Sequence, residues 1–160
     1  MSNSNTSLDG IVSEDKLYGT GQRLTERSHA LLGQAKEFFV GRTGAVGVMF
    51  VDGPMEYPMF IKSGHKGGPW GGTHRGGVPR GTGWGFTGGG PSEGNIATHV
   101  EGHASAIMWQ RELTRAYLIV DREMCSVCHR MICNLLPAGA VLFVYSDAEG
   151  KTTVRSTHAS

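Results

Sequence analysis

The sequence lacks long apolar runs and any marked excess of charge. No stretch of about 18 apolar residues occurs in the 160, so no segment is predicted to cross a bilayer. Fifteen basic residues stand against 14 acidic ones, and a formal net charge of +1 indicates no particular partner. The first residues carry no signal-peptide pattern. We therefore expect a soluble protein with no membrane partner.

Cysteine is also rare, since the chain has three, and this excludes a disulfide framework. Two of them, Cys125 and Cys128, form a C-x-x-C pair, which favours metal or redox chemistry. His99 and Glu101 form an H-x-E pair upstream. One imidazole and two thiolates can bind zinc and leave its fourth tetrahedral position open, as catalysis requires. The third cysteine, Cys133, is predicted to be a small buried apolar residue.

The H-x-E spacing suits one shared site only where a helix begins. Residues two apart in mid-helix lie about 200° apart around the axis, so His99 and Glu101 would diverge there. The apolar pattern predicts helices over residues 99–110 and 125–136, each beginning at its candidate ligands. At a helix N-terminus the unpaired N–H groups and the dipole favour a thiolate. We expect two helix N-termini to meet at one metal ion.

The rest of the pattern predicts an α/β domain. An amphipathic helix is predicted over residues 24–40, and strands over 45–51, 56–61, 116–121, 141–145 and 152–155. The last link is too short for a parallel crossover, so the final two strands should pair antiparallel. We predict a three-layer fold with a mixed five-stranded sheet. The domain is placed at residues 23–156, between a flexible tail at 1–22 and a short tail at 157–160.

Residues 64–94 differ from the rest in composition, because they contain 14 of the 25 glycines. Such a composition predicts a long loop, and long loops inside compact domains are usually functional or disordered. The far end of this loop leads to His99 and so should approach the metal. Trp84 and Phe86 in the loop are candidates for stacking on bases, with anchoring of the loop to the core as the competing interpretation.

The order of these elements around H-x-E and C-x-x-C resembles the cytidine-deaminase fold. H-V-E-G at residues 99–102, C-S-V-C at 125–128 and L-L-P at 135–137 resemble the bacterial DddA-like toxin deaminases. The G-G-G-P segment at 88–91 does so as well. The resemblance extends over about residues 24–155. One position departs from the usual P-C-x-x-C pattern, because Met124 stands where these enzymes usually have proline.

The resemblance implies a role for each of these residues. His99, Cys125 and Cys128 would bind Zn²⁺, and Glu101 would move protons during hydrolytic deamination of cytosine to uracil. The backbone N–H of Val100 lies where this superfamily contacts the carbonyl oxygen of the base. The candidate substrate contacts are Val100, Trp84, Phe86, Val127 and His129, of which His129 can equally be an ordinary surface residue.

An enzyme that acts on duplex DNA needs a side chain that fills the gap left by the flipped base, so candidates for this role bear on whether the substrate is single- or double-stranded. Ser126 and Val127, inside the C-x-x-C pair, cannot stack as an aromatic ring does, which leaves Trp70, Trp84 and Phe86 as wedge candidates. We favour single-stranded DNA, and double-stranded DNA, RNA and free cytidine or nucleotide stay open. The resemblance further implies a domain of a secreted toxin that acts in the cytoplasm of a target cell and is neutralised by an immunity protein.

Three other interpretations of the motif stay open. His99, His103, Cys125 and Cys128 could form a closed structural Cys₂His₂ site, although we expect His103 to be a packed residue. C-x-x-C could be a redox pair, which would leave H-x-E unexplained. The chain could also be a zinc-stabilised binding module without catalysis. Trp109, near the end of the first site helix, is predicted to lie in the core.

Overall fold

The computed structural model describes residues 13–19, 21–39, 45–51, 58–63, 99–124 and 126–158. The helices are α1 (Glu14–Leu17), α2 (Glu26–Phe38), α3 (Val100–Arg111) and α4 (Ser126–Leu135). The strands are β1 (Tyr18–Gly19), β2 (Arg23–Leu24), β3 (Val46–Val51), β4 (Met59–Lys62), β5 (Arg115–Val120), β6 (Val141–Ser146) and β7 (Gly150–Arg155). The predicted α/β architecture is confirmed.

A five-stranded mixed sheet forms the middle layer, in the order β4-β3-β5-β6-β7. The strands β5 and β6 are parallel and α4 lies between them in the chain, while the other neighbours are antiparallel. The antiparallel pairing predicted for the last two strands is confirmed. Pro58 immediately precedes β4, an edge strand, where its missing N–H costs no ladder hydrogen bond.

Each face of the sheet is covered by helices, because alternate residues of its strands are apolar on both sides. In β3, Met49 belongs to the cluster shared with α3 and α4, whereas Val48 and Phe50 belong to the cluster shared with α1 and α2. α3 contributes Ile107 and Met108 to its cluster, both fully buried, as its apolar stripe predicts. The sheet is therefore a rigid support for the beginning of α3.

Helix α2 begins at a side-chain cap. Thr25 precedes it in an extended conformation, and its hydroxyl oxygen accepts the backbone N–H of Ser28 at 3.2 Å. This contact satisfies one of the N–H groups that the first turn leaves without a helical partner. The helix therefore starts at Glu26, two residues after the predicted start.

The described residues 13–19 and 21–22 lie within the segment predicted to be a flexible tail, and some of them pack on the domain. Leu17 is 1% exposed and belongs to the apolar cluster that the sheet shares with α1 and α2. The ring of Tyr18 stacks on that of Tyr145, with centroids 5.3 Å apart. The hydroxyl of Ser28 donates to the Leu17 carbonyl at 2.8 Å. Helix α1 has four residues and one buried side chain, which is too little to produce a periodic sequence signal.

Residues 157 and 158, which belong to the predicted short tail at 157–160, also contact the domain. The backbone N–H of Thr157 donates to the Cys133 carbonyl at 3.0 Å, and its hydroxyl donates to the Asn134 side chain at 2.9 Å. These hydrogen bonds satisfy acceptors at the end of α4. None of the helices within the described residues is long and apolar enough to span a membrane.

Candidate active site

The beginning of α3 brings His99 and Glu101 to one cavity. His99 is the N-cap residue, with φ −76° and ψ 163°, and its carbonyl accepts the N–H of His103 at 2.9 Å. Its imidazole does not cap the helix. Glu101, in the first turn, is 6% exposed, and both side chains line a cavity of about 250 Å³. The H-x-E pair thus lies at a helix start, and both of its residues line one cavity.

The walls of this cavity come from the carboxyl end of β5 and from one end of the β3–β4 pair, where the start of β3 lies beside the end of β4. Val120 ends β5, and Arg122 and Glu123 lie just after it. Ala45 precedes β3, and Ser63 follows β4. The backbone N–H of Ser63 donates to the Ala45 carbonyl at 2.9 Å, and this hydrogen bond joins the start of β3 to the end of β4. A volume of 250 Å³ lies below the ~300–1,000 Å³ of pockets for drug-sized ligands, so the cavity suits one small ring.

A glycine in β3 sets how closely α3 approaches the sheet. A Cβ atom added to Gly47 would lie 2.6 Å from Cγ1 of Val100 and 3.0 Å from the carbonyl oxygen of Ile119. Real Cβ contacts are longer than this, so only glycine permits the observed approach. Val100 is 2% exposed and stands between His99 and Glu101 in the chain. Its packing on Gly47 therefore anchors the residue between the two candidate catalytic groups.

Burial also sets the protonation state of the histidine. Removal of the imidazole from water disfavours its charged form and lowers the pKa of His99 below its ordinary value. At neutral pH the ring is therefore neutral, which is the form that binds a metal ion. A neutral imidazole and a buried carboxylate on one cavity wall fit a zinc ion with a proton-transfer group beside it.

The second predicted helix start is described in part. α4 begins at Ser126, so the C-x-x-C pair lies at its N-terminus as predicted. Cys125 and the side chains of Val127 and Cys128 lie outside the part of the chain that the structure describes. Among the side chains that are described, no three of His, Cys, Asp or Glu form a metal-binding group. The ligand set of His99, Cys125 and Cys128 accordingly stays a prediction.

A carboxylate from the β6–β7 turn contacts the residues on both sides of the C-x-x-C pair. Oε1 of Glu149 accepts the backbone N–H of Met124 at 2.9 Å, and Oε2 lies 2.6 Å from Nε2 of His129. Burial raises the pKa of Glu149, but the hydrogen bonds from Met124 and His129 outweigh it, and the net shift is downward. The carboxylate is thus ionised at neutral pH.

The two motifs lie in the part of the chain that matches a known family. A family model described as SCP1.201-like deaminase matches residues 81–160, half of the chain. The chain belongs to the SCP1.201-like deaminase family. The match includes α3, β5, α4, β6 and β7. The sequence resembles no curated protein closely enough to match it.

Membership in this family makes the chain a deaminase of the cytidine-deaminase-like superfamily, as its fold and motifs predict. The predicted enzyme class, a hydrolase acting on nucleobases, agrees with the family. Zinc is the usual cofactor of such deaminases, because a metal-activated water attacks the base. The half of the deaminase before residue 81 supplies Gly47 and the walls at Ala45 and Ser63.

Other predicted residues of the deaminase are placed as follows. Trp84 and Phe86 lie outside the described residues. His103 is 1% exposed, in accord with a packed residue. Trp109 is half-buried, and its Nε1 donates to the Leu135 carbonyl at 2.5 Å. Cys133 is half-buried at the edge of the core, where we expected full burial.

His129, a candidate substrate contact, lies at the surface of the deaminase with its side chain 40% exposed. Its ring is held by Glu149 and not by the core. This position agrees with the alternative of a surface histidine, and its place directly after Cys128 keeps it near the C-x-x-C pair.

Sequence reasoning missed three residues that shape the site: Gly47, Arg122 and Glu149. The signal for Gly47 was present, because a glycine inside an apolar strand indicates a close backbone approach. Arg122 lines the cavity because it follows the end of β5. Glu149 gave no signal, since its partners are 20 and 25 residues away in the chain.

Proposed function

We propose that this deaminase converts cytosine to uracil in DNA, with a zinc ion bound by His99, Cys125 and Cys128. One observation carries the proposal. His99 and Glu101 share the wall of a cavity at the start of α3, with the imidazole neutral and the carboxylate 6% exposed. A deaminase needs these two groups at the place where water attacks the base.

Zinc, when bound, supplies the acidification of water to a pKa near 7 that hydrolysis at neutral pH requires. The donor set is suited to this ion. An imidazole and two thiolates are borderline and soft ligands, and three protein ligands keep a position open. The start of α4 favours the thiolate form of cysteine, because the first N–H groups of a helix have no partner within it and can donate to a negatively charged sulfur.

Glu101 moves the protons in the proposed reaction. One carboxylate oxygen takes a proton from the attacking water while the water oxygen forms a bond to C4 of cytosine. The same oxygen delivers that proton to N3, and the second water proton follows to the exocyclic amine. The C4–N bond then breaks, ammonia leaves and uracil remains. Burial of Glu101 suits this role, because it keeps bulk water away from the group that transfers the protons.

The backbone of Val100 is suited to hold the base. It is the first helical residue of α3, and N–H groups in the first turn have no partner within the helix. A donor there can bind the carbonyl oxygen of cytosine. Because the Val100 side chain is locked against Gly47, its N–H keeps a fixed position relative to Glu101.

We favour a single-stranded polymer as substrate. The cavity suits a single ring, so a target base has to leave its stack, and unstacking costs least in a single strand. Arg122 on the cavity wall, with its side chain 57% exposed, is suited to contact a neighbouring phosphate. Trp84 and Phe86 stay candidates for stacking on the bases beside the target.

The resemblance to DddA-like toxins extends the proposal to biology. We propose a toxin domain that damages the DNA of a competing bacterium and is held inactive by an immunity protein in the producing cell. Expression in bacteria without that partner should stop growth and raise uracil in DNA. The Glu101→Ala variant should do neither, and growth arrest by this variant would separate toxicity from deamination.

The test of the proposed reaction compares substrates on one zinc-loaded preparation. Single-stranded DNA, duplex DNA, RNA and cytidine are incubated with the protein, and uracil is scored by sequencing or chromatography. We expect conversion on single-stranded DNA first, and none with Glu101→Ala although zinc stays bound. Conversion of cytidine alone would move the proposal to a free-nucleoside enzyme. Folding that needs zinc, with no conversion of any substrate, would favour a binding module.

A further inference from the structure

Both carboxylate oxygens of Glu149 are used, and both contact the segment that contains the cysteines. Oε1 accepts the Met124 N–H at 2.9 Å and Oε2 contacts Nε2 of His129 at 2.6 Å. Met124 directly precedes Cys125, and His129 directly follows Cys128. One side chain thus connects the residue before the pair with the residue after it.

The base of this contact is rigid. The N–H of Glu149 donates to the hydroxyl oxygen of Ser146 at 3.0 Å, and Ser146 pairs with Gly150 where β6 and β7 begin their ladder. Gly150 has φ +75°, a conformation that glycine adopts without strain. The Glu149 side chain is 23% exposed, and Met124 is 3% exposed. The turn therefore presents the carboxylate from a fixed position in the sheet.

The residue at position 124 makes this contact possible. Deaminases of this superfamily usually have proline before C-x-x-C, and proline has no N–H to donate. Here methionine supplies the N–H, and Glu149 accepts it. A hydrogen bond thus restrains the segment at the position where a proline ring would otherwise restrain it.

We infer that Glu149 is a positioning residue for the metal centre: its carboxylate bridges Met124 and His129 and fixes the ends of the segment that presents Cys125 and Cys128 to zinc. The inference rests on the proposed ligand set. Residues that orient metal ligands from outside the ligand set typically change metal affinity by about 10–100-fold when removed.

The same turn contains a matched control. Asp147 accepts the N–H of Leu24 at 2.9 Å and contacts Nε2 of His29 at 2.6 Å. Its contacts are of the same two kinds and of the same lengths as those of Glu149. They lead to β2 and α2, and not to the C-x-x-C segment. Removal of either carboxylate should loosen the turn, but only removal of Glu149 should alter the metal centre.

The experiment measures zinc affinity, by competition with a chromophoric chelator, for the wild-type protein, Glu149→Ala and Asp147→Ala. Absorption spectra of the cobalt-loaded forms then report the thiolate ligands. We expect a loss of affinity of about 10–100-fold and an altered cobalt spectrum for Glu149→Ala. Asp147→Ala should retain wild-type affinity and spectrum. Glu149→Gln, which keeps an oxygen acceptor for Met124, should fold and show a smaller loss.

Three different results would overturn the inference. If wild-type protein shows thiolate–cobalt bands and Glu149→Ala keeps its zinc affinity, Glu149 is only a turn residue. If the wild-type protein itself shows no thiolate–cobalt bands, the proposed ligand set fails and the positioning role fails with it. Equal losses in Glu149→Ala and Asp147→Ala would also count against the inference, because they would indicate general destabilisation.

Discussion

The helices α3 and α4 both begin at the site, but different forces hold their first turns. The start of α3 is fixed by shape, because Val100 packs where Gly47 has no side chain. The start of α4 is fixed by Glu149, whose carboxylate accepts the N–H of Met124 before the helix and contacts His129 within it. A packed contact is sensitive to an added methyl group, and a polar contact to a removed charge. The two halves of the site can therefore be perturbed separately.

The largest effect is expected when one proposed zinc ligand is removed, at the start of either helix. His99→Ala and Cys128→Ala should each lower zinc affinity by more than the ~10–100-fold expected for residues outside the ligand set. Metal analysis and chelator competition measure this. His103→Gln is the control, because a closed Cys₂His₂ site would need His103 and the proposed open site does not. Retention of zinc by His99→Ala would show that α4 binds the metal without α3.

A methyl group added at Gly47 should disturb the α3 side alone. Gly47→Ala places Cβ 2.6 Å from Val100 Cγ1, so we expect a loss of about 1–3 kcal/mol in unfolding free energy and a lower kcat. Denaturant unfolding and the deamination assay measure the two effects.

A second glycine provides the control for this variant. Gly33 lies in α2 with nothing within 4 Å of an added Cβ, so Gly33→Ala should raise stability by up to ~1 kcal/mol. Gly47→Ala combined with Val100→Ala should recover part of the loss, because the clashing Cγ1 is gone. An unchanged kcat in Gly47→Ala would contradict the role given to the close approach.

Removal of zinc should affect the two helix starts unequally. Chelation removes ligands from both, but Val100 stays packed on β3 whatever the metal does. We expect hydrogen exchange to increase more in Ser126–Leu135 than in Val100–Arg111. Exchange measured by mass spectrometry, with and without chelator, gives the two values. An equal increase in both helices would mean that packing does not hold α3 by itself.

The smallest effect is expected at the far ends of the same helices. Nε1 of Trp109 in α3 donates to the carbonyl of Leu135 in α4. Trp109→Phe removes this hydrogen bond and should cost about 1 kcal/mol, or roughly 2–4 °C in Tm. Zinc affinity and kcat should stay at wild-type values. A fall in kcat beyond what the lost stability explains would extend the site to these ends.

The fold was predictable from sequence because the spacing of apolar residues in a long helix or strand indicates which face is buried. The stripe of Ala104, Ile107 and Met108 predicts α3, and all three are fully buried. The five strands and the antiparallel final pair follow from alternation and from short links. Helix α1 and the β1–β2 hairpin were missed, since elements of two to four residues produce no periodic signal.

Part of the candidate site was predictable, because its H-x-E motif is local in the sequence. H-x-E places His99 and Glu101 on one helix start, and the structure brings both to one cavity. Glu149 was not predictable, because only tertiary folding brings a turn residue to Met124 and His129. Met124 itself appeared as a departure from the expected proline, and its hydrogen bond gives that departure a physical reason.

X-ray absorption at the zinc edge of the loaded protein tests the central claim most directly. The claim is that the starts of α3 and α4 share one zinc ion and leave a position on it open. The account predicts two sulfur ligands, one imidazole nitrogen and one further light atom from water, with the imidazole contribution lost in His99→Ala. Two imidazole nitrogens beside two sulfurs, or a wild-type spectrum unchanged in His99→Ala, would contradict it.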